Sequence, residues 1–145
     1  TGLLWAHEHG PRGGDEINLI EQNSNYGWPT VSYGKEYIGG DIGLNSSPNG
    51  YTDPLWIWDP SIAPSGMTFY TGDMFPEWRG DLLVGALKFT SIYRLVIDPA
   101  TNKPVSEERL FNDEMGRVRD VEQANDGSIL VLSDAPNGGL YRISR

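Results

Sequence analysis

Gly80-Asp81-Leu82-Leu83-Val84 is followed after a short gap by Ile92-Tyr93-Arg94-Leu95. Further on, Gly127-Ser128-Ile129-Leu130-Val131 is followed in the same way by Leu140-Tyr141-Arg142-Ile143. Each pair joins a short apolar run to a second run in which a tyrosine and an arginine stand side by side. Leu83 and Leu130 are 47 positions apart, within the period of about 40–50 residues at which small sheets repeat along a chain. Gly2-Leu3-Leu4-Trp5 with Ile17-Asn18-Leu19-Ile20 reads as a third copy. Turn residues punctuate the runs at Asn49-Gly50, Asp98-Pro99, Asp126-Gly127 and Asn137-Gly138-Gly139, as expected of short strands joined by tight turns. No twelve-residue stretch free of Gly and Pro carries apolar side chains at i, i+3, i+4 and i+7, so helices are not expected.

The fold class read from this pattern is all-β. Repeated twisted sheets at this spacing predict part, about three blades, of a β-propeller, each blade covered only by its neighbours. A β-sandwich also spaces short strands evenly, but the paired Leu-Leu-Val and Tyr-Arg motifs favour the propeller. Between the first copy and the second lies an expected insertion, roughly residues 30 to 65, rich in Gly, Pro, Ser and Trp.

Composition narrows the function. The 145 residues carry 20 acidic and 11 basic side chains, a net charge of -9, which argues against nucleic acid as a partner. No run approaches the 18 apolar residues of a membrane span. There is no cysteine, so no disulfide framework is possible. The first residue is Thr1 and no charged-then-apolar leader follows it, so the chain is expected to begin after processing or excision. Motifs of nucleotide, nicotinamide, serine-esterase and zincin sites are absent from the sequence.

Five places hold residues suited to chemistry. In Arg117-Val118-Arg119-Asp120 two guanidinium groups two positions apart share one face of a strand. They read either as a clamp for an anionic ligand or as a surface pair balanced by Asp113, Glu114 and Asp120. Lys88 follows the run Leu82–Leu87, where a strand gives way to a loop. Gly10-Pro11-Arg12-Gly13-Gly14-Asp15-Glu16 joins free backbone carbonyls to two carboxylates, the oxygen types that calcium takes; a tight turn with exposed acids is the plainer reading. His7 and His9 would share a strand face, but two imidazoles without a third ligand do not make a zinc site. Asn25-Tyr26-Gly27-Trp28-Pro29, Trp56 and Trp58 offer aromatic faces for a sugar or for a core.

Five markers in order resemble the C-terminal part of the soluble quinoprotein aldose sugar dehydrogenases, relatives of soluble pyrroloquinoline-quinone glucose dehydrogenase with a six-bladed propeller. They are Glu8-His9-Gly10-Pro11 with Gly14-Asp15-Glu16-Ile17-Asn18; Asn25-Tyr26-Gly27-Trp28-Pro29; Pro60-Ser61-Ile62-Ala63-Pro64-Ser65-Gly66; Leu87-Lys88 before Ile92-Tyr93-Arg94; and Arg117-Val118-Arg119-Asp120. The resemblance covers essentially the whole chain, residues 1–145, as the C-terminal half of such a propeller.

The resemblance implies two cofactors, pyrroloquinoline quinone and Ca²⁺. It implies that the carbonyls of Gly10 and Pro11 hold the calcium on the quinone. Glu16 and the carbonyl of Tyr26 would hold a second, structural calcium, with Asp15 a weaker candidate beside them. Lys88, Arg117 and Arg119 would bind the quinone and its carboxylates, and Tyr37 would line the cofactor pocket. Trp56 and Asp59 fall where the family has aromatic residues near the sugar; an aspartate there is a departure. The implied reaction oxidises an aldose at its anomeric carbon to a lactone and passes electrons to an external acceptor, in the periplasm or outside the cell. The family's general-base histidine lies upstream of anything present here, and neither His7 nor His9 matches it, so the isolated chain is expected to be inactive. Its partners would be the missing N-terminal half or a second copy. The competing reading is a non-enzymatic propeller-type module that binds carbohydrate or protein.

Overall fold

The computed structural model describes residues 2–145 and divides the chain into two compact units, Thr1–Ile62 and Ala63–Arg145. Among the described residues the regular structure is ten strands and one 3-10 turn, Pro76–Trp78. Among the described residues no helix is long and apolar enough to cross a membrane.

The first unit holds β1 (Leu4–Glu8), β2 (Asp15–Ile20) and β3 (Trp56–Trp58), an antiparallel sheet in the order β1-β2-β3. The register pairs Leu4 with Ile20 and Glu8 with Glu16, which makes residues 9–14 the β1–β2 loop. Central β2 carries the unit's fully buried Ile17. Residues 21–55 form no strand beyond isolated bridges at Val31–Leu44 and Lys35–Asp41. The irregular stretch therefore starts earlier than the sequence suggested and ends earlier too. Trp56-Ile57-Trp58, three good strand formers, pair along the edge of β2, and Pro64 already begins the next strand.

The second unit opens with β4 (Pro64–Phe69), β5 (Leu82–Ala86), β6 (Ser91–Asp98) and β7 (Lys103–Leu110), a four-stranded antiparallel meander. It continues with β8 (Val118–Gln123), β9 (Ile129–Ser133) and β10 (Leu140–Ile143), a three-stranded one. The sequence repeat is a repeat of register. Leu83 faces Arg94 and Val84 faces Tyr93, while Leu130 faces Arg142 and Val131 faces Tyr141. Each of these arginines also reaches back to an aspartate, Arg94 to Asp81 at 2.7 Å and Arg142 to Asp126.

The core of this unit gathers Leu83 and Ile92 with Val118, Val121, Ile129 and Val131, closed by Tyr70, Phe75 and Met115. Burying each large aliphatic side chain contributes roughly 1.5–3 kcal/mol. The hydroxyl of Tyr70 donates to the carbonyl of Gly127 at 2.7 Å and accepts from the Phe75 amide at 3.0 Å, so its burial leaves no polar atom unpaired. Ser65 Oγ donates to the Val118 carbonyl at 2.7 Å. Beside it, a Cβ on Gly66 would fall 2.7 Å from Asp120 Cα, so this close approach of β4 to β8 admits only glycine. That gives Pro64-Ser65-Gly66 a packing role. The outer β9 and β10 positions Leu132 and Leu140 remain exposed.

Candidate functional site

In the first unit, the alternation of β2 puts Glu16 and Asn18 on one face, and the register puts Glu8 opposite Glu16. Asn18 Nδ2 donates to Glu8 Oε1 at 3.1 Å and to Glu16 Oε2 at 3.3 Å. Glu16 is buried while Glu8 sits at the exposed end of β1. Burial, then a hydrogen bond with the Glu8 carboxyl, pushes Glu16 up to about 8; the Asn18 amide pulls it the other way.

The β1–β2 loop is fastened at several points. Asp15 Oδ1 accepts from the Gly10 amide at 2.7 Å, and Ser61 Oγ donates to the Gly10 carbonyl at 3.3 Å. The Gly14 amide donates to the Trp58 carbonyl at 2.8 Å. A Cβ on Gly10 would fall 1.9 Å from the Gly13 carbonyl oxygen, so the loop doubles back too tightly for any other residue. The result is a cavity of about 220 Å³ lined by Glu8, His9, Gly10, Glu16, Tyr26 and Trp28, among others. Among the described residues no three or more His, Cys, Asp or Glu side chains cluster to hold a metal ion. A cation here would need carbonyl and amide oxygens beside the carboxylates, which is the donor set calcium accepts.

In the second unit, Arg117 precedes β8 and Arg119 lies where the β8–β9 register shifts between Val118 and Asp120. Simple alternation does not bring them together; one carboxylate does. Asp134 Oδ2 takes Arg117 Nη2 at 3.0 Å and Arg119 Nη2 at 3.1 Å. Hydrogen bonds from Arg117 and then Arg119 hold the Asp134 carboxyl below its ordinary value. Arg117 Nη1 also donates to the Leu87 carbonyl at 3.4 Å, one residue before Lys88. The exposed Lys88 places Nζ 5.1 Å from the centroid of the Phe89 ring.

Over residues 1–142 the chain matches the family described as Glucose / Sorbosone dehydrogenase. The chain belongs to that family. It is 40% identical over 146 residues to aldose sugar dehydrogenase YliI of Escherichia coli (strain K12), covering 99% of this chain and 39% of that protein. It is 28% identical over 187 residues to quinoprotein glucose dehydrogenase B of Acinetobacter calcoaceticus, covering 92% of this chain and 39% of that one. A solved glucose dehydrogenase superposes with a TM-score of 0.94 at 41% identity, over 100% of this chain and 42% of its own. The three sheets thus match part of a propeller-fold dehydrogenase, and the chain spans about two fifths of the length of these relatives.

Set against the glucose/sorbosone dehydrogenase resemblance, the expected residues fall into distinct places. Gly10, Glu16 and Tyr26 line one cavity. Asp15 has one carboxylate oxygen committed to the Gly10 amide, and Pro11 lies against Gly34. The Tyr26 hydroxyl donates to the Leu19 carbonyl at 2.7 Å, which seats the ring beside β2. Tyr37 is exposed, its carbonyl held by Arg12 Nη1 at 3.1 Å. Trp56 is paired with Ile17 on β3, and Asp59 follows that strand with its carboxylate against Gly13.

One expectation is corrected. The counterion of the arginine pair is Asp134, not Asp113, Glu114 or Asp120. Asp113 instead accepts from Thr90 Oγ1, and Asp120 Oδ1 accepts from the Val121 amide at 3.0 Å. Asp134 was missed because it is 15 and 17 residues from its partners. The signal lay in the Asp126-Gly127 turn, which sets Val118 against Ser133 and so brings Asp134 beside Arg117. Glu8 was missed for the same reason; only the β1–β2 register puts it opposite Glu16.

Proposed function

We propose that this chain is the cofactor-holding part of a pyrroloquinoline-quinone- and calcium-dependent aldose dehydrogenase, which oxidises the anomeric carbon of a sugar to a lactone. The observation that carries the reading is the arginine pair. Two guanidinium groups converge on one carboxylate oxygen beside the residue that precedes Lys88, in a chain related to a quinoprotein glucose dehydrogenase. The quinone is an ortho-quinone with three carboxylates, and Asp134 offsets only one of the three cationic charges.

In this reading Lys88, Arg117 and Arg119 bind the quinone carboxylates and offset the negative charge that develops on reduction. Asp134 fixes the two guanidinium heads. The carbonyls of Gly10 and Pro11 would hold one calcium, and Glu16 with the Tyr26 carbonyl would hold the second. Tyr37 borders the cofactor, and Trp56 and Asp59 border the sugar. When bound, the quinone supplies the two-electron acceptor, and calcium polarises its oxygens. The base that takes the anomeric hydroxyl proton comes from outside these residues, as do the external electron acceptor and the remaining sheets, in a periplasmic or secreted setting. The remaining sheets or a second copy would cover Leu132 and Leu140.

The test is a dye-linked assay of the purified chain with quinone, Ca²⁺ and glucose. No turnover is expected from these residues alone. Turnover at an enzyme's ordinary rate would overturn the placement of the base outside them.

A further inference from the structure

Glu8 and Glu16 occupy directly opposed positions of an antiparallel pair, where like charges oppose each other. Asn18 lies between them, its Nδ2 3.1 Å from one carboxylate and 3.3 Å from the other, beside a hydrogen bond that the two carboxyls make with each other. Asn18 is 4% exposed, and its Oδ1 is buried without a hydrogen-bond partner. Buried amide oxygens in folded proteins are rarely left so. An amide suits both states of such a pair. Turned one way it donates to two carboxylates; rotated by half a turn it gives its oxygen to a cation that both of them bind. Asp15, the carboxylate expected beside Glu16, instead has Oδ1 on the Gly10 amide at 2.7 Å. Glu8 and Glu16, not Asp15, both line the cavity.

We propose that Glu8 and the Asn18 amide oxygen are ligands, with Glu16, of a hard divalent cation of calcium's size, and that Asp15 fastens the loop around it. The proposal rests on the reading of Glu16 and Tyr26 as a calcium site and adds the side chains that complete it. On binding, the Asn18 amide turns from donating to accepting, which relieves both its unpaired oxygen and the opposition of the two carboxylates.

The test is calorimetric titration of CaCl₂ into the metal-stripped chain, with melting temperatures in chelator measured alongside. Glu8→Gln is expected to weaken calcium binding by about tenfold or more, since affinity follows the count of charged ligands. Without metal the same variant melts no lower than wild type, because it removes a like-charge opposition. Asp15→Asn keeps an acceptor for the Gly10 amide and is expected to stay within about threefold of wild-type affinity. Asn18→Asp keeps or tightens calcium binding and melts lower in chelator. A Glu8→Gln affinity within about threefold of wild type would overturn the role of Glu8, and lost binding in Asn18→Asp would overturn that of the amide. Either result leaves the calcium reading of Glu16 and Tyr26 in place. A wild-type chain that binds no calcium overturns both.

Discussion

Two regions of this chain hold like charges side by side and treat them in opposite ways. Arg117 and Arg119 are half-exposed and share an anion that the fold itself supplies, Asp134. Glu8 and Glu16 share a neutral amide and a hydrogen bond between their own carboxyls, and Glu16 is buried. The arginine pair is stable as it stands, with charge to spare for an anionic ligand. The carboxylate pair is opposed when both groups are ionised, and either a shared proton or a cation relieves it. The difference separates a site that waits for a ligand from one that needs one.

The largest expected effect is therefore that of calcium. At a free concentration one hundred times its dissociation constant, a ligand that binds only the folded chain stabilises it by about 2.7 kcal/mol. Scanning calorimetry with and without CaCl₂ should show a clear rise in melting temperature, and Glu16→Gln should remove most of it. An unshifted wild-type transition would erase the contrast between the regions.

Next in size is pH. Glu16 is raised in the folded chain, so the folded state binds more protons than the unfolded one between its ordinary value, near 4.5, and about 8. In chelator, stability should fall as pH rises through that window and level off above it. Asp134 is lowered, so its contribution runs the other way: present above its unfolded value and lost as pH falls through the folded one. Glu16→Gln should flatten the first slope and Asp134→Asn the second. Chelated melting curves with the same slope in Glu16→Gln as in wild type would contradict this.

Smallest is the effect of salt. Asp134→Asn leaves two exposed guanidinium groups facing each other, and screening shortens the reach of that repulsion to about 8 Å at physiological ionic strength. The variant should melt slightly below wild type at low salt and approach it as NaCl is added. A deficit that does not depend on salt would mean that Asp134 acts through packing.

The same contrast explains what the sequence could and could not reveal. The sheets were legible because the repeat around Leu83 and Leu130 is local: apolar alternation and turn residues report it within a few positions. Lys88, Arg117 and Arg119 stood out as cations in an acidic chain, and Gly10, Glu16 and Tyr26 came with motifs in order. Asp134 and Glu8 did not stand out, because an acid among 20 acids carries no local mark. Each gains its partner only through a hairpin register fixed by hydrogen bonds between strands. The register shift after Val118 could not be read either, since nothing in Arg117-Val118-Arg119 distinguishes a regular strand from one that slips by a residue. Likewise Trp56-Ile57-Trp58 was hidden in a Gly- and Pro-rich stretch, because a three-residue strand has too little alternation to show.

The most direct measurement is a titration of pyrroloquinoline quinone into the calcium-loaded chain, followed by quenching of tryptophan fluorescence, for wild type, Arg117→Ala and Arg119→Ala. The expected result is saturable binding that chelator weakens and that each substitution weakens by about tenfold or more, with melting temperatures little changed. Binding of equal strength in wild type and both variants, or none in wild type, would contradict the assignment of the arginine pair to the quinone.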